Sequence, residues 1–188
     1  MHGTRLVDGL ATGWPPLFLF LIILPCETPA IEANTMRNTS EIKELVIGWM
    51  QGMSFTSFSH AAGFILQFEH SGFETDRPKV LCLEIKARCY VGSIEDWNRI
   101  TEQLPFRARP IDPDEPALAY WLMLLMGSTI DHVRINEDGA LSMFTSDSEV
   151  LTVEGTGDIW DESWILRQPP DLGRLKIICD SQGSLTIE

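Results

Sequence analysis

From residue 53 onward the apolar positions recur mostly at every second residue, the period of a strand with one buried face. Phe55, Ser57 and Ser59 alternate in side with Thr56 and Phe58, His60-Ala61-Ala62-Gly63 supplies a turn, and Phe64-Ile65-Leu66-Gln67-Phe68 returns, which predicts a β-hairpin. A polar loop over 69–79 leads to residues 80–91 (VLCLEIKARCYV), read as one long strand with Glu84, Lys86 and Arg88 on one face and Leu83, Ile85 and Ala87 on the other. Ser93 followed three residues later by Asp96 has the form of a capping box and predicts a short helix through about Gln103, stopped by Pro105. Residues 104–116, rich in proline and charge, read as a linker, and Pro116 suits the first turn of a helix over 117–126 that Gly127 can end. That helix is apolar on every side, so it is expected to be buried against a sheet. Strands are expected at 130–135, 140–144, 150–154, 160–166, 175–179 and 184–187, with turns at 136–139 and 180–183.

A weak internal repeat runs through this pattern. Gly52, Phe55, Phe58, Gly63, Leu66 and Phe68 line up with Gly127, Ile130, Val133, Gly139, Leu141 and Phe144, and each series follows an apolar segment and precedes a further strand. Chance similarity between amphipathic hairpins is the competing explanation. The expected fold is mainly β within the α+β class: two related antiparallel β-meanders forming a sandwich or open barrel, with two or three short helices including the buried one at 117–126. The halves fall at about 45–103 and 117–188, joined by the linker 104–116, within one domain over 36–188.

Residues 1–35 differ in character. Residues 14–25 (WPPLFLFLIILP) are an apolar run of 12, short of the roughly 20 that span a bilayer, so no transmembrane anchor is expected. The run suits the apolar region of a secretory signal, with Arg5 before it and Thr28-Pro29-Ala30 after it; Asp8 and Pro25 fit that pattern poorly, and translation starting at Met36 is the competing reading.

Composition narrows the class. The chain has 188 residues, 44% of them hydrophobic and 22% charged, too apolar for disorder throughout. With 14 basic and 27 acidic residues its formal net charge is −13, which argues against sequence-independent binding to nucleic acid or an anionic membrane. Residues 1–35 contain Arg5, Asp8, Glu27 and Glu32, so 13 basic and 24 acidic residues remain beyond them and the domain keeps a net −11. Three cysteines also remain, Cys82, Cys89 and Cys179; an odd number is no disulfide framework, and buried free thiols suit a reducing, cytoplasmic compartment. Export or a periplasmic location is the alternative, should residues 1–30 act as a signal peptide.

Little in the chain points to catalysis. His2, His60, His70 and His132 form no pair at metal-binding spacing, no phosphate loop, dinucleotide fingerprint or nucleophile elbow occurs, and Cys89, Asp131 and His132 lack the spacing of a nucleophilic set. No catalytic, cofactor-binding or metal-binding residue is expected, and the chain reads as a non-enzyme. Acids gather instead in predicted loops: Asp112, Asp114 and Glu115, Glu137 and Asp138, Asp147 and Glu149. The most distinctive stretch is 155–164, where Trp160 and Trp164 flank Asp161 and Glu162 beside a glycine-rich turn. Tryptophan supplies rigid apolar contact area and carboxylates select Arg or Lys, a combination suited to gripping a basic partner. The competing structural reading has Trp164 plugging the end of a sheet with Trp160 stacked at its rim.

The segments DESWIL at 161–166, LKIIC at 175–179 and GSLTI at 183–187 resemble the ending of small bacterial β-rich proteins, some of which look like immunity proteins of toxin systems. The similarity runs from Gly127 to the end and implies a β-sandwich or open barrel with a non-enzymatic role. The leading expectation is therefore an acidic binding protein, an immunity-type inhibitor that binds and blocks a basic toxin through Glu137, Asp138, Trp160, Asp161, Glu162 and Trp164. A small-molecule or lipid-binding β-barrel, with Trp97, Trp121 and Trp160 near a cavity, is the alternative. An enzyme using a carboxylate pair comes third; a deep cleft with a raised carboxyl pKa would mark it.

Overall fold

A computed structural model of the chain describes residues 38–60, 63–72, 77–103, 114–157, 161–170 and 172–188. The expectations for residues 1–35, for 104–113 of the linker and for Trp160 lie outside the described residues. Helix α1 (Thr39–Met50) starts where the Asn38 side chain accepts the Ser40 N–H, and it buries Ile42, Val46 and Met50 at intervals of four along one face. Gly52, at φ 84°, takes the chain out of the helix. Strands β1 (Ser54–His60), β2 (Phe64–Glu69) and β3 (Val80–Ile85) then form the first antiparallel meander.

The strand expected over 80–91 is two strands. Lys86 and Ala87 both donate their N–H groups to the Ser163 carbonyl, at 2.9 and 2.8 Å, and the chain bends there into β4 (Cys89–Val91) of the other sheet. Alternation continues through such a bend, so side-chain pattern alone cannot reveal it. The Ser93 capping box is present: its hydroxyl accepts the Asp96 N–H and donates to the Asp96 carboxylate at the start of α2 (Ile94–Gln103). Helix α3 (Asp114–Leu125) takes Asp114–Pro116 from the expected linker into its first turn. A second meander follows, β5 (Ile130–Ile135), β6 (Leu141–Thr145) and β7 (Val150–Val153), and then β8 (Glu162–Arg167), β9 (Lys176–Asp180) and β10 (Leu185–Ile187).

The described residues form two antiparallel sheets, a six-stranded one in the order β1-β2-β3-β8-β9-β10 and a four-stranded one in the order β4-β7-β6-β5. The meanders exchange their fourth strands: β4, continuing from β3, pairs with β7, and β8, following β7, pairs with β3. The sheets also meet where β1 and β5 begin. There the Gly52 N–H donates to the Ile130 carbonyl and the Gly127 N–H to that of Phe55, both at 2.8 Å. A second such pair joins Ile130 N–H to Met53 and Phe55 N–H to Ser128, around a bridge between Ser54 and Thr129, 75 positions apart. Both hairpins shift register at the corresponding place, between Phe55 and Ser57 and between Ile130 and His132. Because this junction is an isolated bridge and not a ladder, the sheets stay an open barrel or sandwich.

Leu66, Leu83, Met143, Val153 and Leu166 belong to one hydrophobic core. Helix α1 packs on β5 and β10, while α2 and α3 pack on β4 and on each other. The expectation of a buried helix at 117–126 is corrected. Ala117, Leu118, Leu122 and Leu125 face inward, but Tyr120, Met123, Leu124 and Met126 are exposed, Met123 to 62%. An all-apolar helix pattern reports how much apolar surface is available, not how many neighbours will cover it. Among the described residues no helix is long and apolar enough to cross a membrane.

Three turns interlock at one end of the sandwich. Gly155 and Gly183 approach the Asp138 backbone so closely that a Cβ on either would collide with the Asp138 carbonyl, and a Cβ on Gly139 would lie 2.7 Å from the Cys179 sulfur. The fully buried Trp164 donates its indole N–H to the Gly139 carbonyl at 2.9 Å and fastens β8 to the same turn. Gly155→Ala and Gly183→Ala are each expected to lose about 2 kcal/mol or more in denaturant unfolding, the cost of forcing atoms into a filled space. Gly48→Ala, in a helix with nothing within 4 Å of its new methyl, is expected to gain about 0.5–1 kcal/mol.

Candidate functional site

The outer face of the four-stranded sheet carries an open groove of about 670 Å3. Its floor follows from register. Tyr90 stands opposite Thr152, Thr152 opposite Ser142 and Ser142 opposite Arg134, one row of polar side chains across all four strands. The Ser142 and Thr152 hydroxyls lie 3.2 Å apart, and both residues are buried although they face outward. One row toward α2, Phe144 pairs with Val150 and carries the Arg134 guanidinium 5.7 Å from its ring centre, with the His132 ring 5.6 Å away. One row the other way lie Glu154 and Ala140, bordered by Asn136, Asp138 and Thr156. The groove thus has an aromatic end near the start of α2 and a carboxylate end beside the interlocked turns.

Behind the carboxylate end sits a half-buried polar cluster. Arg88 donates through Nε to Asp114 at 2.9 Å and through Nη2 to Asn98 at 2.7 Å, and the buried Trp97 indole donates to the other Asp114 oxygen at 3.1 Å. Asp114 therefore joins β4, α2 and α3. Burial raises the Glu154 pKa; Arg88 opposes the shift, and the charges of Asp114 and Asp138 add to it. The Glu154 carboxylate makes no hydrogen bond or ion pair among the described residues. Burial also raises the Tyr90 pKa, reinforced by Glu154 and opposed by its hydrogen bond with Thr152.

The residues singled out from sequence are distributed as follows. Glu137 and Asp138 occupy the exposed β5–β6 turn, where the Asp138 carboxylate accepts the Ala140 N–H at 3.1 Å. Asp161 is exposed, its carbonyl accepting the Ser181 N–H, and Glu162 pairs with Asp180 at the start of β8. The interlocked turns bring these four acids to one end of the sandwich. Trp164 is different: with no exposed surface it belongs to the core and cannot touch a partner directly. Trp97 is likewise sealed in, Trp121 packs half-buried against the core, and neither lines the groove. The residues that line it, Tyr90, Arg134, Ser142, Thr152 and Glu154, carry no local sequence signal, because solvent-side polar residues on strands are ordinary.

Among the described residues no group of three or more His, Cys, Asp or Glu could hold a metal ion. The three described cysteines are free thiols. Burial pushes Cys179 up to about 12, with Asp180 and Asp138 adding and Lys43 opposing, and it raises Cys89 further still, so both stay protonated at neutral pH.

Asp114→Ala should cost about 2–3 kcal/mol in unfolding experiments, because the Trp97 indole loses its acceptor inside the protein; Asp114→Asn should cost less. A raised folded-state pKa means that Glu154 favours the fold while protonated and loses that contribution as pH rises through the raised value. Glu154→Gln should therefore melt above the unsubstituted chain at neutral pH, and the two melting curves should converge below the ordinary glutamate pKa.

Comparison with protein-family models, with curated proteins and with solved structures returns no match to this chain.

Proposed function

We propose that this chain is a non-enzymatic acidic binding protein, most concretely an immunity-type inhibitor that binds and blocks a basic protein toxin. The observation that carries the reading is the convergence of Glu137, Asp138, Asp161 and Glu162, from segments distant in sequence, on one end of the sandwich, where Glu154 and Asp180 join them. Carboxylates carried on these turns and at the adjoining start of β8 keep a fixed pattern of charge. Such a pattern attracts a basic surface from beyond contact distance and selects its orientation. Individually the exposed acids contribute little to affinity, about 1 kcal/mol or less each, so their collective effect falls mainly on the rate of association.

A second reading, a small-molecule carrier, draws on the groove, whose volume lies in the range of ligand sites. Its hydroxyl floor and carboxylate end suit a polar ligand better than a lipid, and the space between the sheets is occupied by core side chains.

Protection assays test the first reading. Cells producing the toxic product of the gene adjacent to this one should survive when this chain is co-expressed. The variant carrying Glu137→Gln, Asp138→Asn, Asp161→Asn and Glu162→Gln together should bind the toxin with an association rate lowered about tenfold at low ionic strength, the gap narrowing as salt is added. Full protection and an unchanged association rate in this variant would overturn the electrostatic reading.

A further inference from the structure

We infer that the groove on the four-stranded sheet is the socket for an arginine side chain of the bound protein, its guanidinium between Glu154 and Asp138 and its stem across the Thr152–Ser142 floor. This rests on the reading of the chain as a binder of a basic protein, and it names the contact at the centre of that interface.

The first argument is an unbalanced charge. Three of the charged residues lining the groove are acids, Glu95, Asp138 and Glu154, and one is a base, Arg134. Arg134 lies over the Phe144 ring, one row away from Glu154 on the sheet. Arg88, whose carbonyl accepts the Glu154 N–H at 2.9 Å, turns its guanidinium away to Asp114 and Asn98. Glu154 is thus a half-buried carboxylate with no direct hydrogen bond or ion pair among the described residues, Arg88 acting on it only at longer range, in a setting where partly desolvated charges are normally paired. An incoming cation would supply the missing pair.

The second argument is shape and donor count. The carboxylate end offers acceptors on several sides, the Glu154 and Asp138 oxygens together with the Asn136 amide and the Thr156 hydroxyl. A guanidinium presents five N–H donors in a plane and is weakly hydrated, so it can satisfy dispersed acceptors in a recess that a compact, strongly hydrated ammonium would fill poorly. The hydroxyl row carries the Thr152 methyl and is flanked one row over by the small Ala140 side chain, which suits an aliphatic stem. The interlocked turns place the socket beside the rim acids, so the same basic surface that they attract can deliver the arginine.

The test uses the full chain and N-acetyl-arginine amide as probe, followed by NMR shifts of Thr152, Ser142 and Tyr90. The probe should perturb these residues, the uncharged N-acetyl-citrulline amide should not, and Glu154→Gln should weaken binding about tenfold or more. Glu44→Gln, which removes the same charge from the exposed face of α1, should leave binding unchanged. Equal binding of the citrulline probe, or arginine binding indifferent to Glu154→Gln, overturns the inference. Toxin affinity separates the two readings. If Glu154→Gln leaves it unchanged while the fourfold rim variant lowers it, the socket falls and the binder of a basic protein stands. If the arginine probe binds but no toxin does, the binder reading falls and the groove is a small-ligand site instead.

Discussion

The carbonyl of Ser163 accepts two N–H groups, from Lys86 and Ala87, and that forked bond sits where the chain passes from one sheet to the other. Everything else in the architecture follows from the crossing. Without it, β3 and β4 would be one strand and the four-stranded sheet would lose the edge that carries Tyr90. Each meander completes the other's sheet, so neither half can bury its apolar face alone. The matched hydrogen bonds around Ser54 and Thr129 join the two sheets at a second place, where β1 and β5 begin.

The end of the sandwich that holds the acids is built from close packing of backbone and not from side-chain bulk. Gly139, Gly155 and Gly183 let three turns touch, and Trp164 and Cys179 point at the Gly139 carbonyl from the core. The close backbone packing fixes where these turns place their carboxylates. Inside the groove, burial and the charges of Asp114 and Asp138 raise the Glu154 pKa while Arg88 lowers it.

The chain's local chemistry was readable where one residue decides the outcome within a few positions. The hairpins at 54–69 and 130–145, the Ser93 cap and the strands near the C-terminus all appear where period and turn residues placed them. Glu137, Asp138, Asp161 and Glu162 were named together from the sequence as partner-binding acids, but their meeting at one end of the sandwich follows only from how the turns pack. Trp164 was ambiguous for a plain reason: a tryptophan beside acids has the same sequence signature at a rim as in a core, and only the position of the Gly139 carbonyl assigns it to the core. The exposed face of α3 was misjudged because pattern counts apolar residues and says nothing of what lies across from them.

By itself the sequence determined the strand periods, the glycine turns at positive φ, the capping box and the net negative charge, since these depend on backbone conformations and side chains within one or two turns of chain. Tertiary structure alone decided that residues 80–91 serve two sheets, that Tyr90, Thr152, Ser142 and Arg134 stand in one row, and that Glu154 faces a groove without a partner. Those outcomes depend on which strand edges pair across long separations. Every amphipathic strand offers the same hydrogen-bonding edge, so the choice among edges is made by the packing of the whole core.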